Sequence, residues 1–151
     1  MIPALTMVEH AIQYAFWKHA GQKDKVGKPY ILHPLRVMAM SYPSGEAAMC
    51  AAVLHDVVED CGVTKQMLEE EGFSKEVVEA VMLLSRPPEG TPNRPTHAEY
   101  VQAIRLSKNP IAISVKRADL VDNLMRINEL PSEQQNLRKR YQQGMRILEG
   151  A

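Results

Sequence analysis

The segment from Gly45 to Asp60 constrains the fold more than any other part of this sequence. It has a good helix former at almost every position, and its apolar residues cover most of a helix circumference: Ala47, Ala48, Cys50, Ala51, Val53, Leu54 and Val57. A helix that is apolar on nearly every side must be covered by other elements. We therefore predict one continuous helix over residues 45–60, near the centre of the domain.

The rest of the chain also has helical patterning, with no alternation typical of β-strands longer than a few residues. Thr64 and Ser74 are predicted N-caps, Thr96 with Glu99 forms a capping-box pattern, and Pro3 suits a first turn. The four prolines of residues 87–95 predict a long loop. The remaining predicted helices span approximately residues 4–19, 34–41, a short stretch after 64, 75–86, 97–108, 110–129 and a last one after 132. The fold class predicted is therefore all-α, a bundle of about seven or eight helices forming a single domain over residues 1–151.

Composition narrows the classes of partner. The chain has 151 residues, and its 18 Lys and Arg balance its 18 Asp and Glu, so no basic excess favours nucleic acid or an anionic membrane surface. No apolar stretch approaches the ~20 residues of a membrane helix, and the first residues lack the pattern of a signal peptide. Cys50 and Cys61 belong to no C-x-x-C motif and are expected to be reduced thiols. We expect a cytoplasmic protein with a small-molecule partner.

The segment HDVVED, residues 55–60, carries the first chemical signal. It places four ionisable side chains within six positions at the end of the apolar helix, and burying that many charges is costly unless a cation or partners compensate. In a continuous helix, His55 and Glu59 would share one face, and Asp56 and Asp60 another. The pattern suits a metal site. The alternative is a helix end entering solvent, with Glu59 and Asp60 as surface acids, but acids in a last turn oppose the helix dipole.

Two distant segments offer partners for this cluster. PYILHP, residues 29–34, contains His33 before a predicted helix, and VKRADLVDNL, residues 115–124, places Asp119 and Asn123 one turn apart. Each has an ordinary explanation by itself, because a histidine before proline is commonly a helix-entry residue and an acid within a helix is commonly solvated.

Taken in order, PYILHP, HDVVED and KRADLVDN resemble the hydrolase domain of the Rel/Spo enzymes and the small alarmone hydrolases, within the HD superfamily. The similarity extends from about Glu9 to Asn123 and includes KHAGQ (18–22), KVGKPY (25–30) and AAVLHD (51–56). This resemblance implies a metal-dependent phosphohydrolase of the stringent response that releases pyrophosphate from the ribose 3′ position of (p)ppGpp.

The resemblance also implies roles for individual residues. It implies one divalent metal ion, usually Mn²⁺, held by His33, His55, Asp56 and Asp119, with Glu59 and Asp60 positioning and deprotonating the attacking water. Four protein ligands leave two octahedral positions for water and a phosphate oxygen. The substrate-binding residues implied are Lys25, Asn123, Arg138 and Tyr141. Lys23 and Lys116 are further candidate phosphate ligands.

The sequence departs from this family at two points. Asp24 stands where alarmone hydrolases carry an arginine that helps to hold guanine, and Leu120 follows Asp119 where they commonly have arginine. The base-binding wall of the pocket is therefore expected to differ, whereas the metal-ligand set is complete. Two alternatives remain: an HD phosphatase acting on another nucleotide, and a non-catalytic domain that senses a nucleotide. Retention of both Glu59 and Asp60 argues against the sensor, which would not need a proton acceptor.

Overall fold

The structure is a computed structural model that describes residues 3–150. Within this range there are nine α-helices, three short 3₁₀ helices and no strand, so the predicted all-α class is confirmed. The α-helices are α1 Met7–Lys18, α2 Leu32–Met40, α3 Glu46–Leu54, α4 Val57–Cys61, α5 Lys65–Glu70, α6 Lys75–Leu83, α7 His97–Ser107, α8 Pro110–Met125 and α9 Leu137–Glu149. The 3₁₀ helices are Tyr42–Ser44, Ile127–Glu129 and Ser132–Gln134.

Helix α3 is the central element, as its apolar circumference predicts. It contacts α1, α2, α6 and α8, and six of its nine residues are buried: Ala48, Cys50, Ala51, Ala52, Val53 and Leu54. The four alanines in α3 let neighbouring helices approach closely. The C-terminal end of α3 is thereby held at the point where α2 and α8 also meet.

The prediction of one continuous helix over residues 45–60 is wrong at its most important point. Helix α3 ends at Leu54, and α4 begins at Val57. The carbonyl of Ala52 accepts hydrogen bonds from the backbone N–H of His55 at 3.3 Å and from its ring Nδ1 at 2.5 Å. The histidine therefore occupies the acceptor that the Asp56 N–H would use in a regular helix. Asp56 adopts φ −108° and ψ −1°, which turns the chain between the two helices.

Three predicted N-caps are confirmed. The side chains of Thr64, Ser74 and Thr96 accept hydrogen bonds from the backbone N–H groups three residues later. The Thr96 cap is a full capping box with Glu99, and it sets the start of α7 beside the loop of residues 87–95.

Some helix ends differ from prediction. Helix α1 begins at Met7, later than the predicted residue 4, because Thr6 and Glu9 form a second capping box. Helix α8 ends at Met125, and the predicted extension to residue 129 is a 3₁₀ turn. Such tightening of a terminal turn is common.

The proline-rich segment 87–95 is irregular, as predicted, but hydrogen bonds connect its two ends. Arg94 Nε donates to the Pro87 carbonyl at 2.6 Å, and Arg86 Nη1 donates to the Pro95 carbonyl at 3.2 Å. These bonds close the loop over one edge of α4.

Cys50 and Cys61 are both free thiols, as expected. Among the described helices, none combines the length and apolar character needed to cross a membrane.

Candidate metal centre and its pocket

Three elements bring potential metal ligands to one point. His33 lies in the first turn of α2, His55 in the turn after α3, and Asp119 in the middle of α8. His33 Nε2 is 2.8 Å from Asp119 Oδ1, and His55 Nε2 is 3.3 Å from the same oxygen. One ligand atom from each of the three residues lies within 4.8 Å of the other two. Within residues 3–150, this is the one such cluster that could hold a metal ion.

Asp56 adjoins this cluster. Its Oδ2 lies 3.0 Å from His55 Nε2 and 3.9 Å from His33 Nε2, and it also accepts a hydrogen bond from the Tyr30 hydroxyl. The structure therefore places all four expected ligands side by side, with Asp56 at the edge of the closer triad.

The chemistry of this donor set fits a divalent cation. His55 Nε2 is buried and lacks an aligned hydrogen-bond partner, although two carboxylates lie beside it. Its Nδ1 is engaged by the Ala52 carbonyl, so the Nε2 lone pair of the neutral ring is directed to the centre. Two imidazoles and two carboxylates suit a first-row divalent ion.

Asp119 is also bound by a lysine. Lys116 Nζ donates to Asp119 Oδ2 at 2.8 Å, and it lies 4.8 Å from the centroid of the Tyr100 ring. Burial opposes ionisation of Asp119, but the Lys116 charge and the hydrogen bonds of the histidines hold its pKa well below the usual range. Lys116 is consequently buried and engaged with a candidate ligand, which does not match its expected role as a phosphate ligand.

The carboxylates shift the proton affinities of the histidines. Burial lowers the pKa of His33, but hydrogen bonds with Asp119 and Asp122 outweigh it and raise the pKa to about 9. Burial likewise disfavours protonated His55, but the nearby charges of Asp56 and Asp119 outweigh it and raise the pKa of His55 well above the usual value. The carboxylates thus create a strongly cation-attracting centre.

The cluster forms the floor of a cavity of about 530 Å³. Three of the four expected substrate-binding residues line the cavity: Lys25, Asn123 and Tyr141. The lining also contains acids and eight cationic side chains. Four of the cations are paired with acids, namely Arg36, Arg94, Lys116 and Arg126. The other four are Lys23, Lys25, Arg86 and Arg140. This lining suits a ligand with several phosphates.

Arg138 is the expected substrate-binding residue that does not line this cavity. Its Nη2 donates to Asn128 Oδ1 at 2.6 Å and approaches Gln135 Oε1 at 3.4 Å. Two residues along α9, Arg140 lines the cavity instead. Since a step of two residues rotates a helix by ~200°, Arg138 and Arg140 project from nearly opposite faces.

The two expected catalytic acids occupy different surroundings. Glu59 lines the cavity, where its Oε1 accepts the backbone N–H of Arg86 at 3.0 Å and its Oε2 lies 3.2 Å from Arg94 Nη2. Asp60 accepts a hydrogen bond from Gln22 Nε2 at 3.2 Å, outside the cavity lining. Desolvation, followed by the charge of Asp56, raises the pKa of Asp60 to about 6.

Asp24 lines the cavity but is committed to its own loop. Its Oδ1 accepts the backbone N–H groups of Val26 at 3.0 Å and Lys28 at 2.8 Å. This is the Asx type of turn, in which the carboxylate replaces a backbone acceptor. The residue that departs from the alarmone-hydrolase pattern therefore shapes the loop that carries Lys25.

Sequence reasoning missed three residues that support the centre: Tyr30, Arg36 and Asp122. A spacing signal was available for two of them. Arg36 lies three residues after His33, and Asp122 three residues after Asp119, so each shares a helix face with a candidate ligand. Tyr30 lay within the motif that identified His33, but nothing in that motif alone indicated that its hydroxyl reaches Asp56.

Comparisons with known proteins agree with this geometry. A family model described as HD domain matches residues 11–147. A probable GTP pyrophosphokinase of Mycobacterium leprae is 34% identical over an alignment of 138 residues, and the alignment covers 87% of this chain and 17% of that protein. A guanosine-3′,5′-bis(diphosphate) 3′-pyrophosphohydrolase of Spiroplasma citri is 32% identical over an alignment of 139 residues that covers 88% of this chain and 18% of that protein. The chain thus spans less than a fifth of the length of these two relatives.

A solved structure shares the fold. It is described as a metazoan ortholog of SpoT that hydrolyzes ppGpp, and it superposes with a TM-score of 0.80 at 22% sequence identity, covering 99% of this chain and 89% of that one.

Proposed function

Because this chain belongs to the HD-domain family, we propose that it is a metal-dependent phosphohydrolase that releases pyrophosphate from the ribose 3′ position of (p)ppGpp. The observation that carries the proposal is the cluster of His33, His55 and Asp119, with Asp56 beside it, on the floor of a cation-lined cavity. Relatives from Aquifex aeolicus and Spiroplasma citri are named as 3′-pyrophosphohydrolases of this nucleotide, which supports the choice of substrate. Since such a nucleotide is intracellular, we also propose action in the cytoplasm.

The four ligands would hold one divalent ion, for which we propose Mn²⁺. The two carboxylates suit this ion, and the two imidazoles are compatible with a first-row divalent ion in general. When bound, it would supply Lewis acidity to a phosphate oxygen and lower the pKa of a water molecule.

Cationic and polar residues of the cavity would bind the substrate. Lys25 and Arg140 line the cavity and would contact phosphates, and charge-assisted hydrogen bonds to phosphate oxygens are strong. Asn123 and Tyr141 line the same space and would contact the nucleoside. Arg138, whose guanidinium binds Asn128, is not assigned a role in this proposal.

Glu59 would position the attacking water and accept its proton. In the reaction, the water oxygen forms a bond to the phosphorus attached to the ribose 3′ oxygen, and the bond between that phosphorus and the 3′ oxygen breaks. The 3′ oxygen takes up a proton, so the products are GDP or GTP and pyrophosphate. Asp60, held by Gln22, would support Glu59 from the neighbouring position or relay the proton to solvent.

One observation favours a second candidate, an HD phosphatase acting on another nucleotide. Asp24 contributes a carboxylate to the cavity where a base-binding arginine is expected, so guanine recognition is altered. A sensor without turnover is disfavoured because Glu59 faces the cavity beside the metal ligands.

A nucleotide panel distinguishes these functions. The purified full chain with Mn²⁺ is incubated with ppGpp, pppGpp, GTP, GDP and deoxynucleoside triphosphates, and pyrophosphate and orthophosphate are measured separately. The proposal expects pyrophosphate from ppGpp and pppGpp only. Orthophosphate or pyrophosphate from other nucleotides, without turnover of ppGpp, would establish the second candidate, and tight binding without any product would establish the sensor.

A further inference from the structure

The carboxylate of Asp122 links a candidate ligand on α2 to helix α8. We infer that Asp122 and Arg36 are positioning residues that orient His33 and strengthen its binding to the cation. This inference rests on the metal centre of the proposed function, and it assigns a role to two residues outside the ligand set.

The two nitrogens of His33 face two different carboxylates. Nδ1 lies 2.7 Å from Asp122 Oδ2, and Nε2 lies 2.8 Å from Asp119 Oδ1. An ionised carboxylate can only accept hydrogen bonds, so the Asp122 contact requires a proton on Nδ1. In the neutral imidazole, the lone pair is then on Nε2, which points to the centre formed by His55 and Asp119. The Asp119 contact likewise requires a proton on Nε2, which a cation bound by Asp119 and His33 would replace, so Asp122 favours the Nδ1-protonated ring that can bind metal.

Arg36 fixes Asp122 from the opposite side. Its Nε donates to Oδ1 at 2.8 Å and its Nη2 donates to Oδ2 at 3.1 Å, a bidentate geometry. The Asp122 side chain is only 3% exposed, so these interactions are weakly screened. Arg36 and His33 both lie on α2. The helix that carries His33 therefore also carries the arginine that binds Asp122, the hydrogen-bond partner of His33.

Arg126 is the other charged side chain that faces Asp122. Its Nε lies 3.6 Å from Asp122 Oδ1, beyond hydrogen-bond distance, and its Nη1 binds Glu129 at 3.2 Å. It is also more exposed than Arg36, at 39% against 30%. Arg36 is accordingly the principal partner.

The second histidine has no comparable arrangement. His55 Nδ1 is held by the Ala52 carbonyl, which belongs to the same helical segment and carries no formal charge. Substitution of a side chain can therefore release His33 while leaving His55 in place, which makes the role of Asp122 testable.

Calorimetric titration of the metal-free full chain with Mn²⁺ tests the inference. Loss of a hydrogen-bond partner of a metal-bound histidine typically weakens metal binding by about 10- to 100-fold. We expect Asp122→Asn, which keeps an acceptor but loses its charge, to lie near the lower value, and Asp122→Ala near the upper. Arg36→Gln should weaken binding less than either Asp122 variant and have no further effect in the Asp122→Ala background, because Arg36 acts through Asp122. The control Glu79→Gln, which removes an exposed carboxylate on α6, should leave affinity unchanged.

A spectroscopic measurement separates positioning from a merely structural role. In the Zn²⁺-loaded protein, the Nδ1 proton of His33 should give a downfield ¹H NMR resonance that shifts in Arg36→Gln and disappears in Asp122→Ala. Circular dichroism of the metal-free variants at the titration temperature verifies folding, and Asp122→Asn remains informative if Asp122→Ala does not fold.

The outcomes separate this inference from the function it rests on. If the wild-type chain binds Mn²⁺ and folded Asp122 variants bind it equally well, the positioning role is wrong and the metal centre stands. If Arg36→Gln weakens binding equally with and without Asp122, Arg36 does not act through Asp122. If the wild-type chain takes up no Mn²⁺, the metal centre and this inference both fail.

Discussion

Glu59 and Arg94 form an ion pair, with Glu59 Oε2 3.2 Å from Arg94 Nη2, that joins α4 to the proline-rich loop at the edge of the cavity. Both side chains are largely buried. The Glu59 carboxylate thus binds the loop and also lines the cavity that contains the proposed metal ligands, so its proton-accepting and loop-holding roles require separate tests.

Glu59→Gln should retain Mn²⁺ binding and slow turnover by a factor on the order of 10²–10⁴, the range for losing a general base. Glutamine can still accept the Arg86 N–H, so the local fold should persist. The matched variant Arg94→Gln breaks the same ion pair but keeps the carboxylate. If steady-state kinetics show equal losses of kcat in both variants, loop anchoring rather than proton transfer explains the role of Glu59.

Lys116→Met should destabilise the metal-free protein by about 3 kcal/mol, the lower end of the range for removing one partner of a buried ion pair, because His33 still compensates part of the charge of Asp119. Bound Mn²⁺ should restore part of that loss by neutralising Asp119. Chemical denaturation with EDTA and with Mn²⁺ measures both values, with Lys75→Met, an exposed lysine on α6, as control. A loss that is the same with and without the ion would argue against Asp119 as a ligand.

The metal-free protein should lose stability as pH rises from about 6.5 to about 9. Folding raises the pKa of His33 to about 9 through its bonds with Asp119 and Asp122, despite burial. The protonated ring therefore stabilises the fold fully below the unfolded pKa of about 6.5, and this contribution disappears as pH passes the folded value. Mn²⁺ competes with the same proton, so its affinity should increase over this interval.

Thermal midpoints and Mn²⁺ titrations at several pH values check this prediction. His33→Asn, which has no titrating ring at this position, should show a smaller pH dependence of the thermal midpoint of the metal-free protein. Mn²⁺ affinity that is flat across this interval in the wild-type protein would show that no histidine proton is displaced.

Asp24→Asn should lower KM for ppGpp several-fold with little change in kcat. The amide oxygen can still accept the N–H groups of Val26 and Lys28, while the charge that repels a phosphate by ~1 kcal/mol is removed. Asp24→Arg would add a cation but lose both loop bonds, so the two variants distinguish loop geometry from charge. An unchanged KM in Asp24→Asn would mean that this carboxylate lies too far from the bound phosphates to affect them.

The sequence was sufficient to predict the fold class and the central position of α3. Helical periodicity of apolar residues indicates which face of a helix is buried, and a helix that is apolar on nearly every side must be covered on every side. It did not predict the turn at His55 and Asp56. Helix propensities do not include a side-chain hydrogen bond such as the one from His55 Nδ1 to the Ala52 carbonyl. The same turn invalidates the argument that placed His55 and Glu59 on one continuous helical face.

The site was only partly predictable for a related reason. Motif order identified His33, His55, Asp56 and Asp119, which the fold brings together. Residues that act across the interface of α2 and α8, such as Arg36 and Asp122, pair only after packing has fixed the register of the two helices. Arg138 and Arg140 differ by two positions on α9, and a gapped similarity could not decide between them.

Metal reconstitution of ppGpp hydrolysis tests whether the proposed metal centre catalyses the reaction. The EDTA-treated full chain is titrated with Mn²⁺ in the presence of ppGpp, and pyrophosphate release is measured alongside bound metal, with His55→Ala as the ligand-deficient control. We expect pyrophosphate and GDP to form in equal amounts and the rate to saturate at about one ion per chain. His55→Ala should neither bind the ion nor hydrolyse ppGpp. Pyrophosphate release that is equal in the metal-free protein, or no release from ppGpp at saturating Mn²⁺, would contradict this proposal.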